Sequence, residues 1–301
     1  MLPLKTYIGK PELFLSSILK KWGFWIPDKW YIQIMYYLKM GKRLNLNHPV
    51  TFNEKLQWLK LYDRQLCYTM MVDKLAVKDY VADIVGKKYI IPTIGIWDRP
   101  EDINFDNLPQ QFVLKTTHGG GSCGVFICKD KFTLDKNRVI IELKKSLRQN
   151  IYKNYREWPY KNVKRRIIAE KYLSVATDNE LRDYKFYCFD GEPKFCQVIG
   201  ERRAKETIDF FDMNWQRQNF CGLNPVARPA IVTPLRPLHF EEMQIIANKL
   251  SQGLRFCRID LYDTLDRPYF GEITFYPASG MGTFTPEQYN FVLGEMIKLP
   301  N

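Results

Sequence analysis

The sequence predicts an α+β protein, with helices and mainly antiparallel sheets in separate stretches of the chain. Helical periodicity dominates residues 1–72, whereas short apolar runs bounded by turn residues dominate from residue 111 onward. Apolar residues make up 46% of the 301 residues and charged residues 26%, a composition that supports a large buried core. We therefore expect one compact unit or two tightly joined lobes.

The N-terminal part carries successive helical patterns. Residues 13–25 form an amphipathic segment that would either touch a membrane or pack on the body of the protein. Residues 30–40 are densely apolar and aromatic. Thr51 and Glu54 have the spacing of a capping box, which begins a helix, and residues 73–81 predict another amphipathic helix.

Strand patterns replace the helical ones beyond this point. Residues 89–92 and 111–115 each predict a strand, and a glycine-rich segment at residues 118–124 leads into a further strand at residues 124–128. Two strands joined by glycine-rich residues indicate a hairpin. Residues 134–150 predict a helix.

The remainder of the chain predicts a larger sheet. Asp190 and Gly191 mark a tight turn between two of its strands. The predicted strands are residues 166–170, 183–189, 193–200, 208–213, 256–262 and 269–275, and the predicted helices are residues 239–253 and 286–298.

Charge and composition narrow the classes of partner. The formal net charge of +12 predicts attraction to an anionic partner such as nucleotide phosphates, a phospholipid surface or an acidic polymer. No helix-turn-helix, zinc-finger or RNA-recognition pattern accompanies this charge, so we expect no nucleic-acid partner. The three histidines have no metal-ligand spacing to a cysteine, which makes a zinc site improbable.

Cysteine usage and hydropathy bear on the cellular setting. The seven cysteines include no Cys-x-x-Cys pair, and most lie in apolar strand-like runs, as reduced buried cysteines do. No signal peptide opens the chain, and no apolar run reaches the roughly 18 to 20 residues that span a bilayer. We expect a cytoplasmic protein. Peripheral contact with the inner face of the membrane, through basic N-terminal helices, is a further option.

Two carboxylates form the most informative constellation. Alternation along the predicted strand at residues 256–262 places Arg258 and Asp260 on one face, and the next strand can bring Glu272 beside Asp260. Adjacent carboxylates repel unless a cation lies between them, and hard oxygen ligands together with phosphates suit Mg²⁺. The alternative is a pair of ordinary surface acids. The neighbouring Arg258 and the small-residue turn at residues 278–280 favour a functional site over this alternative.

The glycine-rich segment is the second constellation. Glycines without Cβ let backbone N–H groups approach a triphosphate, and Lys115 at the end of the preceding strand can neutralise it. The segment lacks the Gly-Lys-Ser/Thr ending of a P-loop, and its place between strands argues against a dinucleotide-binding fingerprint. A flexible hairpin tip is the alternative interpretation.

In order along the chain, these segments resemble the ATP-grasp superfamily, as seen in D-alanine–D-alanine ligases and their relatives. The segments are Asp73-Lys74, Val113-Leu114-Lys115 with residues 119–122, Glu170-Lys171-Tyr172-Leu173, Arg258-Ile259-Asp260 and Glu272-Ile273-Thr274-Phe275-Tyr276-Pro277. The chain also closely resembles the TupA-like branch, named for a teichuronopeptide biosynthesis protein. The residues that carry this second likeness are residues 53–60, 183–191 and 270–277.

The resemblance implies an ATP-grasp fold, in which two β-containing lobes hold ATP between them. The helical patterns predict a helical region at residues 1–72, and the resemblance implies an ATP-grasp domain at residues 73–301. Within that domain, residues 73–172 form the nucleotide-binding lobe with the glycine-rich loop, and residues 173–301 form the catalytic and metal-binding lobe. The helical N-terminal region departs from the βα domain that precedes many ATP-grasp cores.

The resemblance also implies site residues, and ATP and Mg²⁺ as cofactors. Thr274 stands where the family usually has a metal-binding asparagine, which is a departure from the family's pattern. The implied nucleotide-binding residues are Lys74, Lys115, His118, Gly119, Gly120, Gly121, Ser122, Glu170, Lys171, Leu173 and Asp183; the implied metal ligands are Asp260, Glu272 and Thr274; the implied catalytic residues are Arg258 and Lys185.

The implied activity is an ATP-dependent carboxylate–amine ligase that forms an amide through an acyl phosphate. Its substrates would be an acidic sugar of a capsular, O-antigen or other cell-surface polysaccharide and an amine or amino acid. The basic, aromatic stretch at residues 152–166 is the candidate for contact with an acidic glycan, and a solvated helix face is its alternative. A glycosyltransferase that uses a nucleotide-sugar, and a nucleotide- or glycan-binding protein without turnover, stay open as other functions.

Overall fold

A computed structural model of the chain describes residues 11–120, 124–173, 181–200, 206–223 and 227–300. Its two larger sheets are antiparallel throughout, and helices precede, connect and cover them. The α+β class expected from the sequence is therefore confirmed.

The N-terminal helices follow the predicted pattern closely. Thr51 caps the third helix: its side chain accepts a hydrogen bond from the Glu54 amide, and the Glu54 carboxylate accepts one from the Thr51 amide, so the capping box is complete. The helix predicted from residue 73 begins four residues later, because Asp73 instead accepts hydrogen bonds from the amides of the turn that leads into it. The helices are α1 (Pro11–Trp22), α2 (Asp28–Met40), α3 (Phe52–Tyr62), α4 (Cys67–Val72) and α5 (Val77–Val85).

The first sheet has four strands in the order β1-β4-β2-β3, namely β1 (Thr93–Trp97), β2 (Phe112–Thr116), β3 (Val125–Cys128) and β4 (Ile167–Lys171). The hairpin expected around the glycine-rich segment is confirmed, since β2 and β3 are antiparallel neighbours. The strand expected at residues 89–92 is wrong. Lys87–Tyr89 forms a short 3-10 turn, and pairing starts after Pro92, which has no N–H to donate.

The second sheet has five strands in the order β10-β9-β5-β6-β7. Asp190 and Gly191 both have positive φ, 48° and 81°, which is the backbone geometry of the tight turn expected between β5 and β6. The strands are β5 (Asp183–Phe189), β6 (Glu192–Gly200), β7 (Thr207–Phe211), β9 (Phe256–Asp263) and β10 (Pro268–Thr274).

Four further helices and a small sheet complete the described fold. Strands β8 (Cys221–Gly222) and β11 (Phe284–Thr285) pair with each other. The helices are α6 (Lys136–Leu147), α7 (Ile151–Tyr155), α8 (Phe240–Ser251) and α9 (Gln288–Glu295).

Each large sheet has its own hydrophobic core. Leu114 of β2 and Leu143 of α6 belong to the smaller core, which covers one face of the first sheet. The larger core lies on the second sheet and includes helix α8, with the rings of Phe240 and Phe186 stacked at 5.8 Å. Phe52 of α3 belongs to the same core, its ring 5.0 Å from that of Phe256. The N-terminal helices thus help to cover the second sheet.

Candidate active site

Asp260 on β9 and Glu272 on β10 lie directly opposite each other, as the sequence predicts. The pairing needs a β-bulge, because Phe270 pairs with Leu261 and Glu272 with Asp260, which leaves Gly271 as an extra residue. A regular register would set Glu272 opposite Ile259, whose side chain points to the other face. A Cβ at Gly271 would lie 2.9 Å from the Asp260 carbonyl oxygen, so glycine is the residue that this bulge accommodates.

Arg258 lies beside both carboxylates. Its Nε donates to Asp260 Oδ1 at 2.6 Å, and its Nη2 donates to Asp260 Oδ2 at 2.7 Å and to Glu272 Oε1 at 3.3 Å. The same Nη2 lies 3.1 Å from Thr274 Oγ1, which accepts a further hydrogen bond. The planar guanidinium therefore fixes the Asp260 carboxylate with two parallel hydrogen bonds.

Lys185 on β5 approaches Asp260 from the other side. Lys185 pairs with Asp260 across the adjacent strand, and its Nζ contacts both the Asp260 carboxylate and Asp183 Oδ2, the latter at 2.5 Å. Both catalytic residues implied by the resemblance therefore contact the same aspartate. Asp260 is almost completely buried, so these cations supply the charge that such a carboxylate needs.

Lys74 joins this cluster to the glycine-rich segment. Its Nζ donates to Glu272 Oε2 at 2.9 Å and to the carbonyl oxygen of Gly119 at 2.8 Å. Its own backbone amide donates to the carbonyl of Thr117 at 3.0 Å. The residue between α4 and α5 thus connects the first sheet to the second at the edge where the carboxylates lie.

The pKa values of the two opposed carboxylates shift in opposite directions. Burial raises the pKa of Asp260, and the opposing charges of Arg258 and Lys185 do not fully offset it. Burial also acts on Glu272, but Lys74, Arg258 and Lys185 together hold its pKa well below the usual value. Glu272 is therefore an anion at neutral pH, as a metal ligand must be.

A second ionic cluster lies on the first sheet. Lys115 Nζ contacts Glu170 Oε2 at 2.7 Å, and Lys78 Nζ contacts Glu170 Oε1 at 2.5 Å. Burial alone would raise the pKa of Glu170, but the charges of Lys115 and Lys78 lower it overall. Lys78 was not identified in the sequence, although its four-residue spacing from Lys74 would place both on one face of the helix predicted at residues 73–81.

Tyr262 lies between the two clusters. The Lys115 ammonium is 5.9 Å from the centre of the Tyr262 ring, and Tyr262 pairs with Asp183 across β5 and β9. Burial raises the pKa of Tyr262 well above its usual value, as do the neighbouring charges of Asp183, Glu272, Asp260 and Glu170. The two clusters therefore face each other across this ring, which the sequence did not single out.

The ends of the glycine-rich segment are held closely. Gly124 has a φ of 75°, and a Cβ there would lie 2.0 Å from Ser146 Oγ, so glycine is required at this point. Gly119 is buried and Gly120 is exposed. The implied nucleotide-binding residues Gly121 and Ser122 lie outside the described residues.

His118 is buried at the start of that segment. Burial and the neighbouring charge of Arg165 lower its pKa to about 4, so the ring is neutral at neutral pH. A neutral imidazole adds no positive charge for a phosphate, and any contact with nucleotide would be a hydrogen bond. Its role in nucleotide binding stays a prediction.

Lys171 and Leu173 follow Glu170 at the end of β4. Lys171 is exposed, and its backbone amide donates to the carbonyl of Pro92 at 3.0 Å. Leu173 is half-buried. Their implied role as adenine contacts stays a prediction.

A buried lysine supports the turn after β10. Ala278 and Ser279 have positive φ, 47° and 56°, which is unfavourable for residues with a side chain. Lys60 of α3 is completely buried and donates to Ser279 O at 2.8 Å and to Ser279 Oγ at 2.9 Å. Burial lowers the pKa of Lys60 to about 8, so it remains charged at neutral pH, with Glu157 as the nearby anion.

Part of the basic, aromatic stretch at residues 152–166 is buried in the protein. Arg156 is buried, contacts Asp28 Oδ1 at 3.0 Å and stacks on Tyr31 with its guanidinium carbon 3.8 Å from the ring centre. Lys161, Lys164 and Arg165 remain exposed. The exposed cations of the stretch therefore lie in its second half, whereas Lys153 in the first half is half-buried.

The residues present are compatible with a shared Mg²⁺ ion. Asp260, Glu272 and Thr274 offer only carboxylate and hydroxyl oxygens, the donor type that Mg²⁺ prefers. They lie on one face of β9 and β10. Among the described residues, no group of three or more His, Cys, Asp or Glu could hold a metal without other ligands. The donor set therefore suits an ion that phosphate oxygens help to bind.

Solved structures similar to this chain include several ligases. The D-alanine–D-alanine ligase from Bacillus anthracis is 19% identical, with a TM-score of 0.41 over 69% of this chain and 58% of that one. The enzyme from Helicobacter pylori is 15% identical, with a TM-score of 0.47 over 82% and 69%. D-cycloserine synthetase DcsG is 17% identical, with a TM-score of 0.39 over 76% and 71%. The chain thus spans less than two thirds of the Bacillus anthracis ligase.

Family membership rests on the sequence as a whole. No curated protein matches the chain. The family model described as TupA-like ATPgrasp matches residues 54–298, a stretch that contains both ionic clusters, the glycine-rich segment and the turn after β10. The likeness first drawn from separate motifs therefore holds across most of the sequence. The chain belongs to the TupA-like ATP-grasp family.

Proposed function

We propose that the protein is an ATP-dependent carboxylate–amine ligase. The observation that carries the proposal is the continuous chain of ion pairs Lys74–Glu272–Arg258–Asp260–Lys185, which Lys74 joins to the glycine-rich segment. The cations and carboxylates of this chain are the groups that a triphosphate, a divalent ion and a reacting carboxylate require. Family membership supports the same activity.

Nucleotide binding would use both clusters. The carboxylates of Asp183, Asp260 and Glu272 are matched by the cations of Arg258, Lys185 and Lys74, so this cluster alone leaves little charge for a triphosphate. Lys115 and Lys78 both pair with the single carboxylate of Glu170 on the other side of Tyr262. This second cluster therefore supplies the additional positive charge. Mg²⁺ bound by Asp260 and Glu272, with Thr274 nearby, would supply further neutralisation of the phosphates.

The reaction would proceed in two steps. An oxygen of the substrate carboxylate attacks the γ-phosphorus, the bond from that phosphorus to the bridging oxygen breaks, and ADP leaves. The amine nitrogen then attacks the carbonyl carbon of the acyl phosphate, loses a proton, and displaces inorganic phosphate. Arg258 would hold the transferring phosphoryl group or the tetrahedral oxyanion, because its guanidinium lies between both carboxylates. Lys185 would hold either ATP or the acidic substrate.

We further propose an acidic saccharide of a cell-surface polysaccharide as the carboxylate, and an amine or amino acid as the acceptor. The net charge of +12 and the exposed Lys161, Lys164 and Arg165 support an anionic substrate. A cytoplasmic setting is part of the proposal. It is supported by the six described cysteines, which are all free thiols and of which five are buried.

A nucleotide-binding protein without turnover is the second candidate. The observation that favours it is Thr274 at the position where the family usually has asparagine. Its hydroxyl accepts a hydrogen bond from Arg258 at 3.1 Å, so it is already engaged within the protein. A hydroxyl in this position offers Mg²⁺ a poorer ligand than an amide carbonyl oxygen.

ADP release in the presence of ATP, Mg²⁺ and paired acids and amines tests the proposal. The panel should include uronic acids, UDP-glucuronate and amino acids, assayed with the wild type and Glu272→Gln. We expect sustained ADP release only when an acid and an amine are both present, and at least about a hundredfold less with Glu272→Gln. Near-normal activity of Glu272→Gln would contradict the metal assignment. Sugar transfer from the UDP-sugar without ATP would replace the ligase with a glycosyltransferase.

A further inference from the structure

The hairpin of α1 and α2 exposes large aromatic side chains. Trp22, Phe24, Trp25 and Trp30 are 60%, 63%, 73% and 61% exposed, and Phe14 is 49% exposed. We call these five residues the aromatic face. The opposite side of the hairpin is buried, with Leu19, Tyr31 and Met35 in one apolar cluster. Soluble proteins rarely expose so many large apolar side chains on one short hairpin, and such groups often mark an interaction surface.

Cations surround the aromatic face. The Lys21 ammonium lies 5.1 Å from the Trp22 ring centre, and the Lys153 ammonium of α7 lies 5.3 Å from that of Phe24. Between residues 11 and 43 the sequence has six basic and two acidic residues. Asp28, one of the two acids, is engaged by Arg64 and Arg156. The surface is therefore both apolar and positively charged.

We propose that the aromatic face docks onto the surface of an anionic lipid bilayer. Tryptophan and phenylalanine partition into the interface between headgroups and acyl chains, and lysines beside them are attracted to anionic headgroups. Among the described residues, no helix is long and apolar enough to cross a membrane. The protein would lie on the bilayer through this hairpin.

The charges favour a bilayer over a second copy of the chain. A symmetric contact would place the same patch against itself, and would bring Lys21, Lys29 and Lys153 of both copies together. The like charges would then be desolvated without a counter-ion, whereas lipid headgroups supply one. An anionic surface with an apolar interior matches both properties of the face.

The aromatic face is also tied to the candidate active site. Arg156 Nη2 donates to the carbonyl of Gly23 at 2.9 Å, within the turn between α1 and α2. The neighbouring residue, Tyr155, accepts a hydrogen bond through its carbonyl from Lys60, which supports Ser279 after β10. Docking would therefore hold the turn after β10 at a fixed height above the bilayer, which suits a lipid-anchored acid as substrate. This last point rests on the proposed ligase function, whereas docking itself does not.

Vesicle flotation tests the docking directly. The purified full chain is mixed with vesicles of phosphatidylcholine, or of phosphatidylcholine with phosphatidylglycerol, and its Kd for lipid is measured. The triple variant Trp22→Ser, Trp25→Ser, Trp30→Ser removes the aromatic rings, and the double variant Lys21→Glu, Lys29→Glu reverses the charge. The matched control is Phe132→Ser, Ile141→Ser, Leu265→Ser, because these side chains are equally exposed but lie elsewhere.

We expect binding to anionic vesicles that is at least about tenfold weaker in both variants and unchanged in the control. No binding of the wild type to either vesicle, or equal binding of all variants, would overturn the proposal. Concentration-dependent dimerisation that the tryptophan variant abolishes would assign the face to a second copy instead. ADP release in solution is measured in parallel, and its loss or retention reports separately on the ligase.

Discussion

Glu272 lies opposite Asp260 because Gly271 is accommodated as an extra residue in β10. The bulge turns the Glu272 side chain to the face that carries Asp260 and Arg258, and the same shift brings Thr274 opposite Arg258. Every polar contact between β9 and β10 in the candidate site depends on this single residue. The electrostatic difference between the two carboxylates follows, since only Glu272 is within reach of Lys74.

Gly271→Ala should disturb this relationship without removing a functional group. The added Cβ would lie 2.9 Å from the Asp260 carbonyl, so the strands must separate locally. We expect a loss of about 1 to 3 kcal/mol in the free energy of unfolding and a larger proportional loss of ADP release. Urea unfolding and turnover check this. Full activity in the variant would show that the register of Glu272 is unimportant.

Lys115→Met should weaken ATP binding. The variant removes one of the two cations that hold Glu170, and leaves Lys78 to neutralise it. We expect the Kd for ATP to rise at least about tenfold, the size of a charge-assisted contact. Calorimetric titration measures this, with Lys129→Met, an exposed lysine after β3, as the control. Equal affinities of the two variants would contradict the role of Lys115.

Lys60→Met should destabilise the protein by about 3 to 5 kcal/mol. It removes the three N–H donors of the Lys60 ammonium, which lie within hydrogen-bond distance of four oxygen acceptors, and leaves the buried Glu157 without its nearby cation. Equilibrium unfolding measures the change, with the exposed Lys39→Met as control. A loss no greater than that of the control would show that the turn after β10 is stable without Lys60.

His118 should make stability dependent on pH between about 6.5 and 4. The folded protein keeps His118 neutral down to about pH 4, whereas in the unfolded chain the group titrates near 6.5. As the pH falls through this window, the unfolded state binds a proton that the folded state does not, so the free energy of unfolding decreases. We expect a decrease of about 1 to 3 kcal/mol from this group.

His118→Gln isolates that contribution. The variant should lose stability less steeply than the wild type between pH 6.5 and 4, because its side chain does not titrate. Urea unfolding at several pH values measures the slopes. Identical slopes for His118→Gln and the wild type would contradict a neutral buried ring.

Local patterns predicted most elements of the fold. The strand at residues 183–189 and the turn at Asp190 and Gly191 match the structure to the residue. The strand-forming residues end at an Asp-Gly pair, which favours a tight turn with positive φ. The strand at residues 89–92 failed because pairing in β1 depends on β4, which lies more than 70 residues away. The face shared by Arg258, Asp260 and Glu272 was correct, although the bulge at Gly271 that produces it was not recognised.

Tertiary contacts account for what the sequence did not indicate. Lys78 and Tyr262 join the site only because the two sheets face each other, and no motif contains them. Arg156 lay in a stretch predicted to be solvated or bound to glycan, yet it is buried against Asp28 and Tyr31. In the same way, periodicity predicted an apolar side of α1, but it did not show that Phe14 and Trp22 stay exposed.

Thermal unfolding with a panel of nucleotides tests the central claim most directly. The purified protein is heated with Mg²⁺ and ATP, ADP, GTP or UDP-glucuronate, all at one and the same concentration. A ligand present at about a hundred times its Kd stabilises the folded protein by ~2.7 kcal/mol, whereas a nucleotide that does not bind gives no shift. The account predicts a Tm increase of about 5 °C with ATP and ADP, which Lys115→Met reduces to about half or less and Lys129→Met retains. A Tm increase with UDP-glucuronate alone would contradict an ATP site between Lys74, Lys115 and Glu272. The absence of a Tm increase with every nucleotide would contradict it as well.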